Sequence, residues 1–273
     1  MCIRDSLKYD TSSMKKIKQY IVNTFTDKLF SGNPAAICLI EKWLPDELMM
    51  KIAMENKLSE TAFVVRENEQ YKLRWFTPKM EIDLCGHATL AATYVITSFV
   101  EPNKTTISFH TRSGVLKATR KDNLYYIDLP AFPLKLIDTP PSIVKAIGVY
   151  PIEVYLGRDL VCVLPSKEDV YNLTPNLSEV EKLEGVLLHV TAKDEKYDCI
   201  SRTFAPKHSV PEDPVCGSGH CHIIPYWSKI TGKNDLLAYQ ASSRGGVLHC
   251  HKENDRIIIA GECVLYSKSY IFI

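Results

Sequence analysis

The feature of this sequence that most restricts its fold is an internal repeat. The string Arg74-Trp-Phe-Thr-Pro-Lys79 precedes Cys85-Gly86-His87, and Arg202-Thr-Phe-Ala-Pro-Lys207 precedes Cys216-Gly217-Ser218. Arg74 to Arg202 is a shift of 128 residues, and Cys85 to Cys216 is a shift of 131. Solenoids need at least three short repeats, so two long copies predict a pair of similar domains related by approximate symmetry.

Each Cys-Gly pair opens a stretch of sequence with little charge. Residues 88–100 contain no charged side chain, and residues 219–228 are similarly apolar. A helix that is apolar on all sides is buried on all sides, so each stretch predicts a central helix wrapped by the rest of its domain. Pro225 lies inside the second helix and is expected to kink or shorten it.

Charge and composition exclude several classes of protein. The net charge is +1 and the pI is about 7.6, so no basic excess indicates a nucleic-acid partner. The longest uncharged run, residues 84–100, is short for a membrane span.

Residues 1–13 are polar, lack the apolar core of a signal peptide and are interpreted as an extension. The nine cysteines are therefore expected to be mostly reduced in a cytoplasmic protein.

Two helix N-termini that face each other across a cleft form a natural anion site, because each presents unpaired N–H groups and a partial positive charge. Small residues at these ends allow the backbone to approach a ligand closely. Groups able to move protons lie beside them in the sequence. The predicted chemistry is acid/base catalysis on a small carboxylate compound, without a metal or cofactor. The residues concerned are Glu60, Cys85, Gly86, His87, Asp213, Cys216, Gly217 and Ser218.

Several of these segments resemble motifs of the PhzF-like family of phenazine-biosynthesis isomerases. They are residues 58–63 (LSETAF), 83–90 (DLCGHATL) and 212–220 (EDPVCGSGH), together with 32–36 (GNPAA) and 243–246 (SRGG). The resemblance extends from Met14 to the C-terminus, and it is strongest to the branch of phenazine biosynthesis-like domain proteins.

The resemblance implies an α+β fold of the diaminopimelate epimerase type. Two pseudo-symmetric domains would each wrap a curved, mostly antiparallel sheet around a central helix. The expected boundaries are 14–122 for the N-terminal domain, completed by a C-terminal strand at 265–273, and 123–264 for the C-terminal domain. A homodimer is also expected.

The resemblance further implies roles for individual residues. Glu60 would be the catalytic acid/base, with His87 and Asp213 beside it in the cleft. The backbone of Gly86, Gly217 and Ser218 would bind the substrate carboxylate. The implied reaction is an isomerisation that shifts a proton along a conjugated cyclohexadiene carboxylate without a cofactor.

Two other functions remain open at the level of sequence. Cys85 and Cys216 stand where diaminopimelate epimerase-like enzymes place two catalytic thiols, which is compatible with a two-thiol racemase or epimerase. The sequence is equally compatible with two buried structural cysteines, and with a non-catalytic binding protein of the same fold. A zinc site built from Cys216, residues 220–222 and residues 249–251 is not predicted, because these spacings do not match structural zinc motifs.

Overall fold

The computed structural model describes residues 14–273, and the proposed extension 1–13 lies outside the described residues. Eighteen strands are linked by hydrogen bonds into one continuous network. The strands are β1 (Lys16–Thr24), β2 (Asn33–Ile40), β3 (Glu60–Glu67), β4 (Gln70–Phe76), β5 (Glu81–Ile82), β6 (Thr106–Thr111), β7 (Gly114–Lys121), β8 (Leu124–Pro130), β9 (Lys135–Ile137), β10 (Glu153–Leu156), β11 (Leu160–Val163), β12 (Leu188–Ala192), β13 (Cys199–Ala205), β14 (Val210–Asp213), β15 (Asp235–Gln240), β16 (Gly246–Glu253), β17 (Arg256–Gly261) and β18 (Cys263–Phe272).

Six α-helices connect these strands within residues 14–273. They are α1 (Asp46–Asn56), α2 (Gly86–Val95), α3 (Pro141–Ile147), α4 (Lys167–Tyr171), α5 (Leu177–Val180) and α6 (Gly217–Thr231). Within residues 14–273, none of the helices combines the length and apolar character that crossing a membrane requires.

The first half of the chain folds around α2. The strand order β18-β1-β2-β3-β4-β6-β7-β8 is antiparallel except for the β2–β3 and β4–β6 pairs. Every residue of α2 is buried apart from Tyr94, which is partly exposed. The charge-free stretch therefore forms a central helix, as predicted. The prediction fails at its end, because a π-helical turn (Ile96–Val100) brings Phe99 and Val100 to the surface, where they are 36% and 38% exposed.

The second half repeats this plan around α6. Strands β11 and β12 are parallel, as are β13 and β15, and the β8–β17 pair joins the two halves. The expectation that Pro225 shortens this helix is wrong, since α6 runs through it from Gly217 to Thr231. A proline cannot donate to the carbonyl four residues earlier. The Cys221 carbonyl instead accepts a hydrogen bond from the Phe132 N–H at 3.1 Å, so the break in the helix is compensated from outside.

The repeated Arg-x-Phe motif makes the same contacts in both halves. Arg74 in β4 donates two hydrogen bonds to Glu81 in β5, at 2.7 and 2.6 Å. Arg202 in β13 donates two to Glu212 in β14, at 2.7 and 2.9 Å. Each guanidinium also lies over the phenylalanine two residues later, with 5.2 and 5.1 Å between the guanidinium carbon and the ring centre. The repeat in sequence is therefore a repeat of structure just before each Cys-Gly turn.

The last strand of the chain completes the first sheet. Strand β18 pairs antiparallel with β1 along its length, from Lys16 opposite Phe272 to Thr24 opposite Cys263. Strands of both halves belong to one hydrogen-bonded network. The division into residues 14–122 and 123–264 stays a prediction.

The packing around α2 makes a testable prediction about stability. Phe109 is fully buried in this core, whereas Phe30 is 70% exposed. We expect Phe109→Ala to lower the free energy of unfolding by about 3–5 kcal/mol, because it removes buried surface and leaves a cavity. Urea denaturation measures the change, and Phe30→Ala is the matched control, expected to cost less than about 1 kcal/mol. Equal effects of the two substitutions would contradict this description of the core.

Candidate active site

The two central helices meet at their N-termini. Gly86 and Gly217 are the first residues of α2 and α6, and a Cβ atom on Gly217 would lie 4.0 Å from the Cα of Gly86. The helix ends open into a cleft with a volume of about 310 Å³. The structure brings together in this cleft all eight residues that the sequence singled out: Glu60, Cys85, Gly86, His87, Asp213, Cys216, Gly217 and Ser218.

The local backbone explains why these helix ends are free to bind an anion. Cys85 and Cys216 are the N-cap residues and have extended backbone conformations. The N–H groups of Gly86, Gly217 and Ser218 belong to the first helical turns, which have no acceptor within their own helix. The dipoles of both helices add partial positive charge at the same place. The arrangement can therefore hold a carboxylate by backbone hydrogen bonds.

An acid/base pair lies at the edge of this anion site. Glu60 begins β3 and His87 is the second residue of α2; their side chains are 15% and 5% exposed. His87 Nε2 and Glu60 Oε2 are 3.1 Å apart. The angles at this contact are not those of a hydrogen bond, and neither atom has another hydrogen-bond partner within the described residues. Both atoms therefore keep their hydrogen-bonding capacity for a ligand.

The charge state of His87 depends on its neighbours. Burial alone would lower the pKa of His87, but Cys85 and Glu60 together raise it well above its ordinary value. An imidazolium at this position pairs with the Glu60 carboxylate across the 3.1 Å contact. The carboxylate form of Glu60 is the form that can accept a proton.

Asp213 reaches the same cleft from the second half of the chain. It ends β14, and burial followed by the charge of Glu60 raises its pKa. The buried Asn33 at the start of β2 holds it in place, donating from Nδ2 to Asp213 Oδ1 at 2.7 Å and to the Val215 carbonyl at 2.9 Å. Ser59 Oγ donates to Asn33 Oδ1 at 3.3 Å. Sequence analysis placed Asn33 in a segment that resembles the family, residues 32–36, but gave it no role, so this link between the halves was missed.

Both thiols lie at the cleft, and burial raises the pKa of each. Burial and the Glu60 charge raise the pKa of Cys85, whose Sγ lies 3.4 Å from His87 Nδ1. Burial and the Asp213 charge raise the pKa of Cys216 well above its ordinary value. Cys216 Sγ accepts a hydrogen bond from the Gly219 N–H at 3.3 Å. A thiol with a raised pKa supplies little thiolate at neutral pH, and only the thiolate could act as a base.

Within the described residues, two clusters have ligand atoms close enough to share a metal ion. One is Glu60, Cys85 and His87; the other is Asp159, His189 and His222. In each cluster the atoms lie within 4.8 Å of one another. A cation would compete with the proton of His87 in the first cluster and with the bound guanidinium of Arg158 in the second.

Sequence reasoning also missed Arg158, which lines the cleft. Its only sequence signal is the Gly157-Arg158-Asp159 string after β10, which is typical of any polar turn.

Two half-structures that each wrap a central helix, and that meet at a cleft with acid/base groups, define the class of epimerase-like α+β proteins. Within this class, the chain belongs to the family of phenazine biosynthesis-like proteins, PhzC-PhzF, whose pattern matches residues 22–269.

Individual relatives agree with this assignment. The chain is 42% identical to an uncharacterised isomerase of Pseudomonas aeruginosa, over 92% of this chain and 96% of that protein. The crystal structure of a PhzF-family phenazine biosynthesis protein of Enterococcus faecalis superimposes with a TM-score of 0.92 at 45% identity, covering 95% of this chain and 100% of that one. A hydroxyproline epimerase of Agrobacterium vitis shares the fold alone, with a TM-score of 0.63 at 10% identity over 94% and 93% of the two chains. The predicted family and epimerase-like fold are confirmed, and the relatives support an isomerase-type function.

The environment of His87 makes a prediction about its titration. We expect His87 to stay protonated above its unperturbed pKa of about 6.5, while burial lowers the pKa of His220 and His222 to about 4. Because the folded-state pKa of His87 is raised, its pairing stabilises the fold most below about pH 6.5, and this contribution is lost as the pH rises through the raised value.

The measurement is ¹⁵N NMR of the imidazole rings as a function of pH. Glu60→Gln should lower the pKa of His87, and Glu41→Gln, at an exposed glutamate, should leave it unchanged. Titration of His87 at or below its ordinary value in the unsubstituted protein would show that the described ion pair does not form.

Proposed function

We propose that this protein is a cofactor-independent isomerase that moves a proton on a small carboxylate-bearing substrate. Glu60 is the acid/base group, assisted by His87 and Asp213. The observation that carries the proposal is the pair of atoms Glu60 Oε2 and His87 Nε2, which are buried at the cleft without hydrogen-bond partners within the described residues. Buried polar atoms normally have partners, and one left free beside an anion site is placed to act on a ligand.

The reaction uses the helix ends and the acid/base pair together. The substrate carboxylate binds the N–H groups of Gly86, Gly217 and Ser218. The Glu60 carboxylate removes a proton from a substrate carbon that is conjugated with the substrate carboxylate. The electron pair of the broken C–H bond is delocalised toward the substrate carboxylate. The helix dipoles stabilise this added charge. The Glu60 carboxyl group then returns the proton to another carbon, which restores the enzyme and shifts the double bond.

The unequal chemistry of the two halves favours a proton shift over racemisation. Thr61 pairs with Phe76, and Leu188 pairs with Phe204, which corresponds to Phe76 in the repeat. The residues just before Thr61 and Leu188 are Glu60 and Leu187, so Leu187 holds the position that corresponds to Glu60. From the equivalent Cys-Gly pairs, Ser218 likewise corresponds to His87. Glu60, the group that moves the proton, lies in one half only, which suits the removal and return of a proton on one face of the substrate. Racemisation requires groups on both faces.

A second candidate is a two-thiol racemase or epimerase. Cys85 and Cys216 occupy equivalent N-cap positions and both line the cleft, so they are placed on its two sides. This mechanism needs one thiolate in the resting enzyme, which the raised pKa of both thiols opposes.

The test is incorporation of deuterium from solvent. The protein is incubated in D₂O with a panel of carboxylate metabolites, and mass spectrometry identifies any compound that gains deuterium. We expect label to enter one compound, and Glu60→Gln to lower the rate by about 10²–10⁴-fold, the usual contribution of a general acid/base group. Glu41→Gln is the matched control and should leave the rate unchanged.

Thermal unfolding shows whether each variant remains folded. Undiminished exchange by a folded Glu60→Gln variant would contradict the role of Glu60. Loss of exchange in both Cys85→Ser and Cys216→Ser, with Glu60→Gln active, would establish the two-thiol mechanism instead. A protein that exchanges no compound yet binds a macromolecule equally well after Glu60→Gln would be a binding protein.

A further inference from the structure

The cleft contains a cation that the proposed proton transfer does not use. Among the described residues that line it, Arg158 is the only lysine or arginine. The acidic residues there are Glu60, Asp83 and Asp213. Arginine in a small-molecule cleft is placed to bind an anionic group through its planar fork of N–H donors.

The guanidinium of Arg158 is held rigidly. Its Nε and Nη2 donate to the two carboxylate oxygens of Asp159, at 3.1 and 2.9 Å. Asp159 is fully buried and lies 3.0 Å from His189 Nε2. The guanidinium carbon lies 4.6 Å from the ring centre of Phe132, and this ring stacks on His222 at 4.6 Å. A side chain fixed by a buried carboxylate and an aromatic ring loses little entropy when a ligand binds.

The pairing with Asp159 leaves donors available. A guanidinium has five N–H groups, and the two bonds to Asp159 use one on Nε and one on Nη2. Both hydrogens of Nη1 and one of Nη2 remain, and Nη1 has no hydrogen-bond partner in the part of the chain that the structure describes. The free edge between Nη1 and Nη2 matches the two oxygens of a carboxylate. The side chain is also 37% exposed, so a ligand can reach it.

Arg158 is connected to α6 through His222 and Phe132. His222 is one turn beyond Ser218 in α6, and its Nδ1 lies 3.3 Å from the Ser218 carbonyl. The stacked rings of His222 and Phe132 connect this turn to the guanidinium. The helix N-termini and the free edge of Arg158 are thus two groups of donors that line one cleft.

We propose that the substrate is a dicarboxylate, with one carboxylate at the helix N-termini and the second on the free edge of Arg158. This inference rests on the proposed function, because it assumes that the first carboxylate binds at the helix ends. A carboxylate fits the second position better than a phosphate does. Asp159 already neutralises Arg158, and the three acidic residues of the cleft repel a dianion more strongly than a monoanion.

Binding of simple acids tests the proposal without knowledge of the substrate. Dissociation constants are measured by isothermal titration calorimetry for a rigid series (benzoate, isophthalate, monomethyl isophthalate and 3-phosphonobenzoate) and a flexible one (hexanoate and adipate). We expect one diacid to bind at least about tenfold more tightly than its monoacid, as a hydrogen-bonded charge pair provides. Monomethyl isophthalate should bind like benzoate.

Variants identify the residue responsible. Arg158→Gln should reduce the diacid preference to less than about threefold while leaving monoacid binding unchanged. If Arg158→Gln unfolds, Arg158→Lys replaces it, because lysine keeps a positive charge beside the buried Asp159. Arg158→Lys should lose most of the preference for the diacid, because lysine lacks the planar fork of N–H donors. Arg256→Gln removes an exposed arginine that pairs with Asp128 on another surface, and it should change nothing.

The outcomes distinguish this inference from the function on which it rests. Monoacid binding without a diacid preference would overturn the inference alone. Equal loss of monoacid and diacid binding in Arg158→Gln would place Arg158 on the first carboxylate and overturn it as well. Tighter binding of 3-phosphonobenzoate than of isophthalate would assign the second position to a phosphate. No binding of any acid by the unsubstituted protein would contradict the carboxylate site itself, and with it both proposals.

Discussion

The contact between two helix N-termini is the constraint on which the rest of the site depends. Ends of like partial charge repel each other, so they stay together only because both helices are locked in buried cores and because Gly86 and Gly217 present no side chains. An anion between them relieves the repulsion, and the same field stabilises negative charge that develops on a bound carboxylate. Glu60 and His87 lie at the rim of this field, where the proposed proton transfer would use it.

The two halves of the molecule share their scaffold but not their chemistry. The arginine–glutamate pair that precedes each Cys-Gly turn is the same in both halves, with Arg74 on Glu81 and Arg202 on Glu212. Side chains of the cleft differ at equivalent positions, as with Glu60 and Leu187. The repeated contacts hold the backbone of each turn, so the side chains that face the ligand are free to diverge without loss of the fold.

Local patterns were sufficient to predict the central helices, and the cleft residues other than Glu60 lie within three positions of the two Cys-Gly pairs. Glu60 is 25 residues before Cys85, and the family resemblance assigned it to the cleft. Contacts between distant segments were not predictable. Asn33 reaches Asp213 across the interface of the halves, and Arg158 becomes part of the cleft only when Phe132 and Asp159 surround it. Pro225 shows the same limit: the missing N–H is visible in the sequence, but its replacement by the Phe132 N–H is not.

The pairing of β1 with β18 has a consequence for synthesis of the protein. At roughly 5–20 residues per second, strand β1 leaves the ribosome some ten to fifty seconds before its partner exists. During that time one edge of β1, which later pairs with β18, stays open to unwanted strand pairing. The N-terminal half, which carries Glu60 and His87, thus cannot finish its own sheet until nearly the whole chain has been translated. A ribosome that stops before residue 263 would release a chain whose N-terminal half has an unpaired edge, a natural target for chaperones and proteases.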